Sequence, residues 1–164
     1  MCRIVSLIMN KVGDAGIKID EIKTVLGFDF GMKKTGVAIG QMITKTASPL
    51  TLLKAQDGAP RWSVIQALID EWQPQLLIVG YPLHMDGAEQ PMTKAAKRFG
   101  NRLNGRFGLP VIWVDERLTS HEAEQVFVDL NKSTESDKLN IDTISAKLIV
   151  EQWFHQIETD NNLG

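Results

Sequence analysis

Three runs of almost unbroken apolar residues constrain the fold of this chain more than any other feature. They are TVLGFDF (24–30), PQLLIVG (74–80) and LPVIWVD (109–115). Because none of them alternates between apolar and polar residues, each predicts a strand that is covered on both faces of its sheet. A sheet built from such strands needs a layer of helices on each side.

The segments between these runs predict the remaining strands. TGVAIGQ (35–41) follows the first run after the short turn GMKK, which predicts an antiparallel hairpin. ASPLTLL (47–53) predicts a third strand, and Pro49 favours an edge position for it. The expected fold class is therefore α/β. It has a five-stranded mixed sheet, in which three antiparallel strands joined by hairpins are followed by βα units, with helices on both faces.

Helices are predicted where the apolar period changes to that of an α-helix. Pro60 is expected in the first turn of the first helix, and the apolar stripe behind it consists of Trp62, Ile65, Ile69 and Trp72. Further helices are expected from about Ala88 or Pro91 to Asn104, over 118–130 and over 141–157. The polar stretch 131–140 is expected to form a loop.

Length and composition indicate one soluble globular domain. The chain has 164 residues, of which 43% are hydrophobic and 23% charged. We expect an N-terminal extension (1–23), a single domain (24–158) and a C-terminal tail (159–164). Cys2 is the only cysteine, and the early apolar run at 4–9 is too short for a membrane span. These features predict a cytoplasmic protein without a membrane partner.

Asp29 is an acid within the first apolar run, in a strand that should be central. A buried carboxylate must be paired, hydrogen-bonded, protonated or bound to a metal. Either the backbone N–H groups of the following turn or Lys33 would satisfy it structurally, so Asp29 alone leaves its role open.

Two further acid positions follow the same logic. Asp115 and Glu116 end a buried strand, and ligands of open sheets collect beyond the carboxyl ends of strands. Asp142 lies four residues before Ala146, on the inward face of the last helix. Helix capping is the structural alternative for Asp115 and Asp142, and pairing with Arg117 is the alternative for Glu116.

Taken together, these carboxylates indicate a metal site. Three converging carboxylates repel one another unless a cation lies between them. Oxygen ligands of this kind suit Mg²⁺ or Mn²⁺, and ions held by carboxylates serve phosphate chemistry.

Nucleic acid is the partner that such chemistry would require, although the net charge of −2 gives no global signal for it. A local signal lies in the predicted second helix, which carries basic residues at successive i+4 spacings: Lys94, Arg98, Arg102 and Arg106. Lys33 and Lys34 in the hairpin turn and Arg117 beside the acids would add contacts. An ordinary solvated helix face is the alternative.

Four motifs resemble those of the bacterial YqgF family in order and spacing: GFDFGMKKTGVAIG, VGYPLHMDGAEQ, VDERLTSHEAE and IDTISAKLIVEQWF. The resemblance implies an RNase H-like fold. It places metal-binding acids at Asp29, at Asp142 and within the DER motif, where Glu116 is preferred over Asp115. The sequence departs from the family pattern at Met32 and Ser145, and both departures keep the carboxylates.

The resemblance also implies a function. Family members are Holliday-junction-resolvase-like and are assigned as nucleases that mature the 5′ end of pre-16S rRNA. We therefore expect a metal-dependent nuclease, a hydrolase acting on ester bonds, with structured RNA as its partner and ribosomal particles as candidate partners. The alternatives are a resolvase acting on branched DNA and a non-catalytic module for nucleic-acid binding or ribosome assembly. Monomer and homodimer both remain open.

Overall fold

The computed structural model describes residues 19–81, 88, 90–115 and 141–163. A short 3₁₀ helix (Ile19–Glu21) precedes the first strand. The strands are β1 (Thr24–Asp29), β2 (Lys34–Gln41), β3 (Thr46–Gln56), β4 (Ala59–Pro60), β5 (Leu76–Tyr81) and β6 (Val111–Asp115). The helices are α1 (Trp62–Trp72), α2 (Pro91–Phe107) and α3 (Ile141–Leu163).

The strands form one mixed sheet in the order β4-β3-β2-β1-β5-β6. β1 pairs antiparallel with β2, β2 with β3, and β3 with β4. β5 lies parallel to β1, and β6 lies parallel to β5. β1, β5 and β6 therefore all end at one edge of the sheet, which we call the carboxyl edge.

Helices cover both faces of the sheet. α3 packs on one face, where Trp153 and Ile149 lie against Val25 and Ile78 in a buried cluster. α1 and α2 pack on the other face, where Phe99 joins a second cluster. We call these the α3 face and the α1/α2 face. The predicted α/β architecture, with covered central strands and helices on both faces, is confirmed.

The sheet has one strand more than expected. Asp57 and Gly58 both have positive φ angles, of 51° and 79°, and form a tight Asp-Gly hairpin between β3 and the two-residue β4. Pro60 belongs to β4, so its predicted place in the first turn of a helix is wrong; α1 begins at Trp62 behind the N-cap Arg61.

The ends of the chain also differ from expectation. Ile22 is buried within the supposed extension, and α3 continues through Leu163 beyond the predicted end at Ile157. The predicted helix at 118–130 and the loop at 131–140 lie outside the described residues. Among the described helices, none offers an apolar stretch long enough to cross a lipid bilayer.

Candidate metal and nucleic-acid site

Asp29 ends β1 at the carboxyl edge, on the α3 face. Val25 of the same strand is fully buried in the cluster under α3. Alternation along the strand places Gly27 and Asp29 on that same face. Gly27 agrees with this assignment, because a Cβ there would collide with the Val150 side chain of α3. Asp29 is half-buried, at the end of a strand whose four central residues are buried.

Gly36 brings the start of α3 next to Asp29. Gly36 and Asp29 are direct cross-strand neighbours in the β1–β2 ladder. A Cβ on Gly36 would collide with the carbonyl of Asp142 and lie 2.8 Å from the backbone nitrogen of Thr143. The first turn of α3 therefore rests directly on the backbone of β2, and it does so at the strand position beside Asp29. Adjacent strands are about 5 Å apart, so the backbone of Asp142 lies close to that of Asp29.

Asp142 occupies the first turn of α3, where the helix packs on the sheet. Burial raises the pKa of its carboxyl above the ordinary value, and the nearby positive charge of Lys34 offsets part of that rise. Lys34 begins β2 on the same face, two residues before Gly36. Lys34 is therefore a positively charged neighbour of the Asp142 carboxyl.

Asp115 ends β6 at the same edge but on the other face. Ile112 and Val114 of β6 pack under α3, whereas Val111 and Trp113 pack under α1 and α2. Alternation places Asp115 with the second pair, on the α1/α2 face. The structure thus brings Asp29 and Asp142 together and does not bring Asp115 to them. Glu116 and Arg117 lie outside the described residues.

The turn between β1 and β2 is held by hydrogen bonds from the β3–β4 hairpin. The backbone nitrogen of Ala55 donates to the carbonyl of Lys33 over 2.8 Å, and that of Gly58 donates to the carbonyl of Met32 over 3.0 Å. Gly31 packs so tightly against the Lys34 carbonyl that a Cβ there would collide with it. These contacts order the turn that follows Asp29 and carries two lysines.

The predicted basic stripe lies on α2, and all four of its residues are exposed: Lys94, Arg98, Arg102 and Arg106. α2 packs on the α1/α2 face through Ala96, Phe99 and Leu103. The stripe and the acid pair therefore belong to opposite sides of the sheet. The guanidinium carbon of Arg106 lies 4.4 Å from the centroid of the Trp62 ring, a cation–π contact.

The donor set fits a hard divalent cation, since it consists of carboxylate oxygens at a solvent-accessible edge. In the part of the chain that the structure describes, no group of three or more His, Cys, Asp and Glu side chains is gathered for a metal. Asp29 and Asp142 could supply two carboxylate ligands to such an ion.

Two residues of this region could not be singled out from the sequence. In the sequence Gly36 is an ordinary glycine of a predicted strand. Only the packing of α3 on it shows that the absence of a side chain is needed there. Lys54 lies directly opposite Lys34 in the β2–β3 ladder. This pairing depends on a β-bulge at Leu50, for which the sequence offers no clear signal.

The three-layer fold, with a mixed sheet between two layers of helices, is of the RNase H-like class. The fold is similar to that of T. thermophilus RuvC in complex with a Holliday junction substrate, with a TM-score of 0.51 and 15% identity. The likeness covers 84% of this chain and 97% of that chain. At this identity it shows the fold alone.

The family follows from the sequence comparisons. The profile of RuvX, described as Holliday junction resolvase, matches residues 23–156, and the chain belongs to this family. Among curated relatives, a "Putative pre-16S rRNA nuclease" of Haemophilus ducreyi is 55% identical, covering 85% of this chain and 97% of the relative. A protein of the same name from Shewanella denitrificans is 53% identical, covering 80% and 94%. The resemblance seen in the four motifs is confirmed.

Proposed function

We propose that this protein is a divalent-metal-dependent nuclease that hydrolyses phosphodiester bonds in the 5′-end maturation of pre-16S rRNA. The observation that carries the proposal is the packing of the first turn of α3 on Gly36, the cross-strand neighbour of Asp29. This contact places the start of α3, which carries Asp142, beside the strand end that carries Asp29, although the two residues are distant in the sequence. The names of the curated relatives support RNA as the substrate.

Asp29, Asp142 and Glu116 are the residues we propose as ligands of Mg²⁺ or Mn²⁺. Glu116 is preferred over Asp115 because Asp115 belongs to the α1/α2 face, opposite Asp29 and Asp142. When bound, such ions activate water and stabilise the leaving oxygen. We propose residues 24–158 as the nuclease domain.

The reaction adds a water oxygen to phosphorus and breaks the P–O3′ bond. The 3′ oxygen takes up a proton, which leaves 5′-phosphate and 3′-hydroxyl ends. In this scheme Lys34 binds the substrate close to Asp142, the acid whose buried charge it already offsets. Lys33, held by the β3–β4 hairpin, contacts the backbone on the outer side of the same turn.

The basic stripe on α2 has a different role in this proposal. It lies across the sheet from the acid pair, so it binds nucleic acid remote from the scissile bond. Exposed Lys94, Arg98 and Arg102 would contact the flanking backbone of a large structured substrate, while Arg106 stacks on Trp62. Arg117 is proposed as a contact beside Glu116.

Resolution of branched DNA is the second candidate function. The description of the matching family and the fold shared with a junction-bound RuvC favour it. Symmetric cleavage of a four-way junction needs two sites, so this candidate requires a homodimer, whereas RNA maturation does not.

A cleavage assay tests the proposal. The wild-type protein is incubated with a precursor 16S rRNA fragment and with a four-way DNA junction in Mg²⁺ or Mn²⁺. It is compared with Asp29→Asn, Asp142→Asn and Glu116→Gln, and Asp115→Asn serves as the matched control. We expect RNA cleavage at the 5′ side of the mature sequence, abolished by the first three changes and retained in the control.

Three outcomes would contradict this account. Folded Asp29→Asn and Asp142→Asn variants that still cut like the wild type would exclude the acid pair. Cleavage of the junction alone, by a protein that sedimentation shows to be a dimer, would favour the resolvase. Failure to cut either substrate, together with retained binding, would favour a non-catalytic binding module.

A further inference from the structure

Lys34 and Lys54 form a like-charged pair on the site face of the sheet. The two residues are direct partners in the β2–β3 ladder. Residues that oppose each other across antiparallel strands share a face, and their Cβ atoms are about 5 Å apart. Lys34 lies on the α3 face with Gly36, so Lys54 presents its side chain to the same face as Asp29 and Asp142.

A β-bulge produces this pairing. The register of the β2–β3 ladder shifts by one residue between Ala38 and Val37. Ala38 pairs with Pro49, but the next residue, Val37, pairs with Thr51. Leu50 is the extra residue. Without it Lys34 would face Leu53, and Lys54 would have no basic partner on β2. Bulges commonly re-aim a side chain beside a functional site.

The pair sets two like charges directly opposite each other. Directly opposed like charges destabilise a sheet. Both lysines are exposed, and the Asp142 carboxylate faces Lys34. Within the described part of the chain, the Lys54 side chain has neither an ion pair nor a hydrogen bond. An anion bound between the two ammonium groups would remove the repulsion.

The backbone that carries the pair is held in place. Ala55 follows Lys54 and hydrogen-bonds through its nitrogen to the carbonyl of Lys33, which precedes Lys34. The adjacent turn has the positive φ angles of an Asp-Gly hairpin and bonds to Met32. The two lysines are therefore presented from bonded strands rather than from a loose loop, which lowers the entropic cost of binding.

Resting on the proposed function, we infer that Lys34 and Lys54 form a clamp for one backbone phosphate of the nucleic acid, on the β3 side of the acid pair. Lys54 lies two strands, or about 10 Å, from β1. The rise per nucleotide is about 3.4 Å in a duplex, so the clamped phosphate lies within about three nucleotides of the scissile bond. Because the clamp would contact only a phosphate, its binding would not depend on the identity of the bases.

Binding measured against salt tests the clamp. Fluorescence anisotropy gives Kd for a labelled RNA hairpin with a single-stranded 5′ extension, without divalent metal, between 50 and 200 mM salt. Lys54→Gln removes the charge and keeps the stem of the side chain. Lys23→Gln is the matched control, because Lys23 is an exposed lysine that precedes β1 at the opposite edge of the sheet.

We expect Lys54→Gln to weaken binding and to reduce the slope of log K against log salt, by at most about 0.7 on a single strand or about 0.9 on a duplex because Lys34 still contacts the phosphate. Lys23→Gln should change neither. Because Lys54 lies opposite a like charge in the sheet, Lys54→Gln should also melt at the same or a higher temperature than the wild type. A salt slope equal to that of the control, or a lowered melting temperature as the only effect, would overturn the clamp.

The outcome separates the clamp from the nuclease. A salt slope that depends on Lys54, in a protein that cuts neither RNA nor junction, would uphold the phosphate site and refute the catalytic proposal. Cleavage that depends on Asp29, together with a salt slope that Lys54→Gln leaves unchanged, would support the nuclease and refute the clamp.

Discussion

Replacement of Gly36 by alanine should damage the site without touching a carboxylate. The added Cβ would collide with the Asp142 carbonyl and lie 2.8 Å from the backbone nitrogen of Thr143. Both atoms belong to the backbone, so no side-chain rotation can relieve the contact. The first turn of α3 must move away from β2, and Asp142 must move away from Asp29 with it.

The magnitude follows from overpacking. Insertion of one methyl group into a closely packed contact destabilises a protein by about 1–3 kcal/mol. For a chain of this size, the melting temperature should fall by roughly 2–12 °C at about 2–4 °C per kcal/mol. A displacement of about 1 Å at a reacting centre reduces the rate by on the order of 100-fold. We therefore expect a larger loss of nuclease activity than the loss of stability alone would give at 20 °C.

Gly105→Ala is the matched control. Gly105 lies within α2, and a Cβ there meets nothing within 4 Å. This change should stabilise the protein by about 0.4–1 kcal/mol, because alanine restricts the unfolded chain and favours the helix. Calorimetry and a single-turnover cleavage assay measure both effects. A Gly36→Ala protein with wild-type melting temperature and rate would refute the argument that Gly36 positions Asp142.

Three further predictions concern stability. Burial raises the pKa of Asp142, so the native state binds its proton more tightly than the unfolded state does. With a chelator present, the free energy of unfolding of the wild type should fall relative to that of Asp142→Asn as pH rises from about 4 through the native pKa. Curves of unfolding free energy against pH that run parallel for the two proteins would contradict this. Gly27→Ala should lower the free energy of unfolding by about 1–3 kcal/mol, because its Cβ collides with Val150. Val150→Ala should lower that free energy less in the Gly27→Ala background than in the wild type. Arg106→Ala should lower the free energy of unfolding by about 0.5–1 kcal/mol, because it removes the contact with Trp62. Arg102→Ala, at an exposed position, should stay within about 0.5 kcal/mol of the wild type in urea denaturation.

The sequence predicts the covered strands well because their signal is local. The absence of alternation in the three apolar runs requires helices on both sides, and the structure has them. The placement of Asp29 in a central strand follows directly from its run, and the structure shows that the strand ends there. The placement of Asp142 on the inward face of the last helix follows from its spacing to Ala146, which is fully buried.

Other features depend on contacts between distant residues. The bulge at Leu50 sets which residue of β3 faces Lys34, and it is visible only in the β2–β3 ladder. The short β4 arises from the Asp-Gly turn at 57–58, and it moves Pro60 out of the helix in which a first-turn proline is common. Local propensity alone does not separate these outcomes, because a proline before an amphipathic run is compatible with both.

The position of the acids relative to the faces of the sheet also needed the structure. From the sequence, Asp115 and Glu116 are equivalent neighbours at the end of a strand. Once Ile112 and Val114 are seen to pack under α3, alternation assigns Asp115 to the opposite side from Asp29. The basic residues of α2 likewise form a stripe from their spacing, but only the packing of Phe99 shows which side of the sheet they occupy.

Calorimetric titration of Mn²⁺ into the metal-free protein tests the central claim most directly. The account predicts that Asp29→Asn and Asp142→Asn each abolish or strongly weaken binding, while Asp115→Asn, which changes the charge equally at the same edge, binds like the wild type. Circular dichroism confirms that each variant is folded. Loss of Mn²⁺ binding in Asp115→Asn, with wild-type binding in Asp29→Asn, would contradict the site.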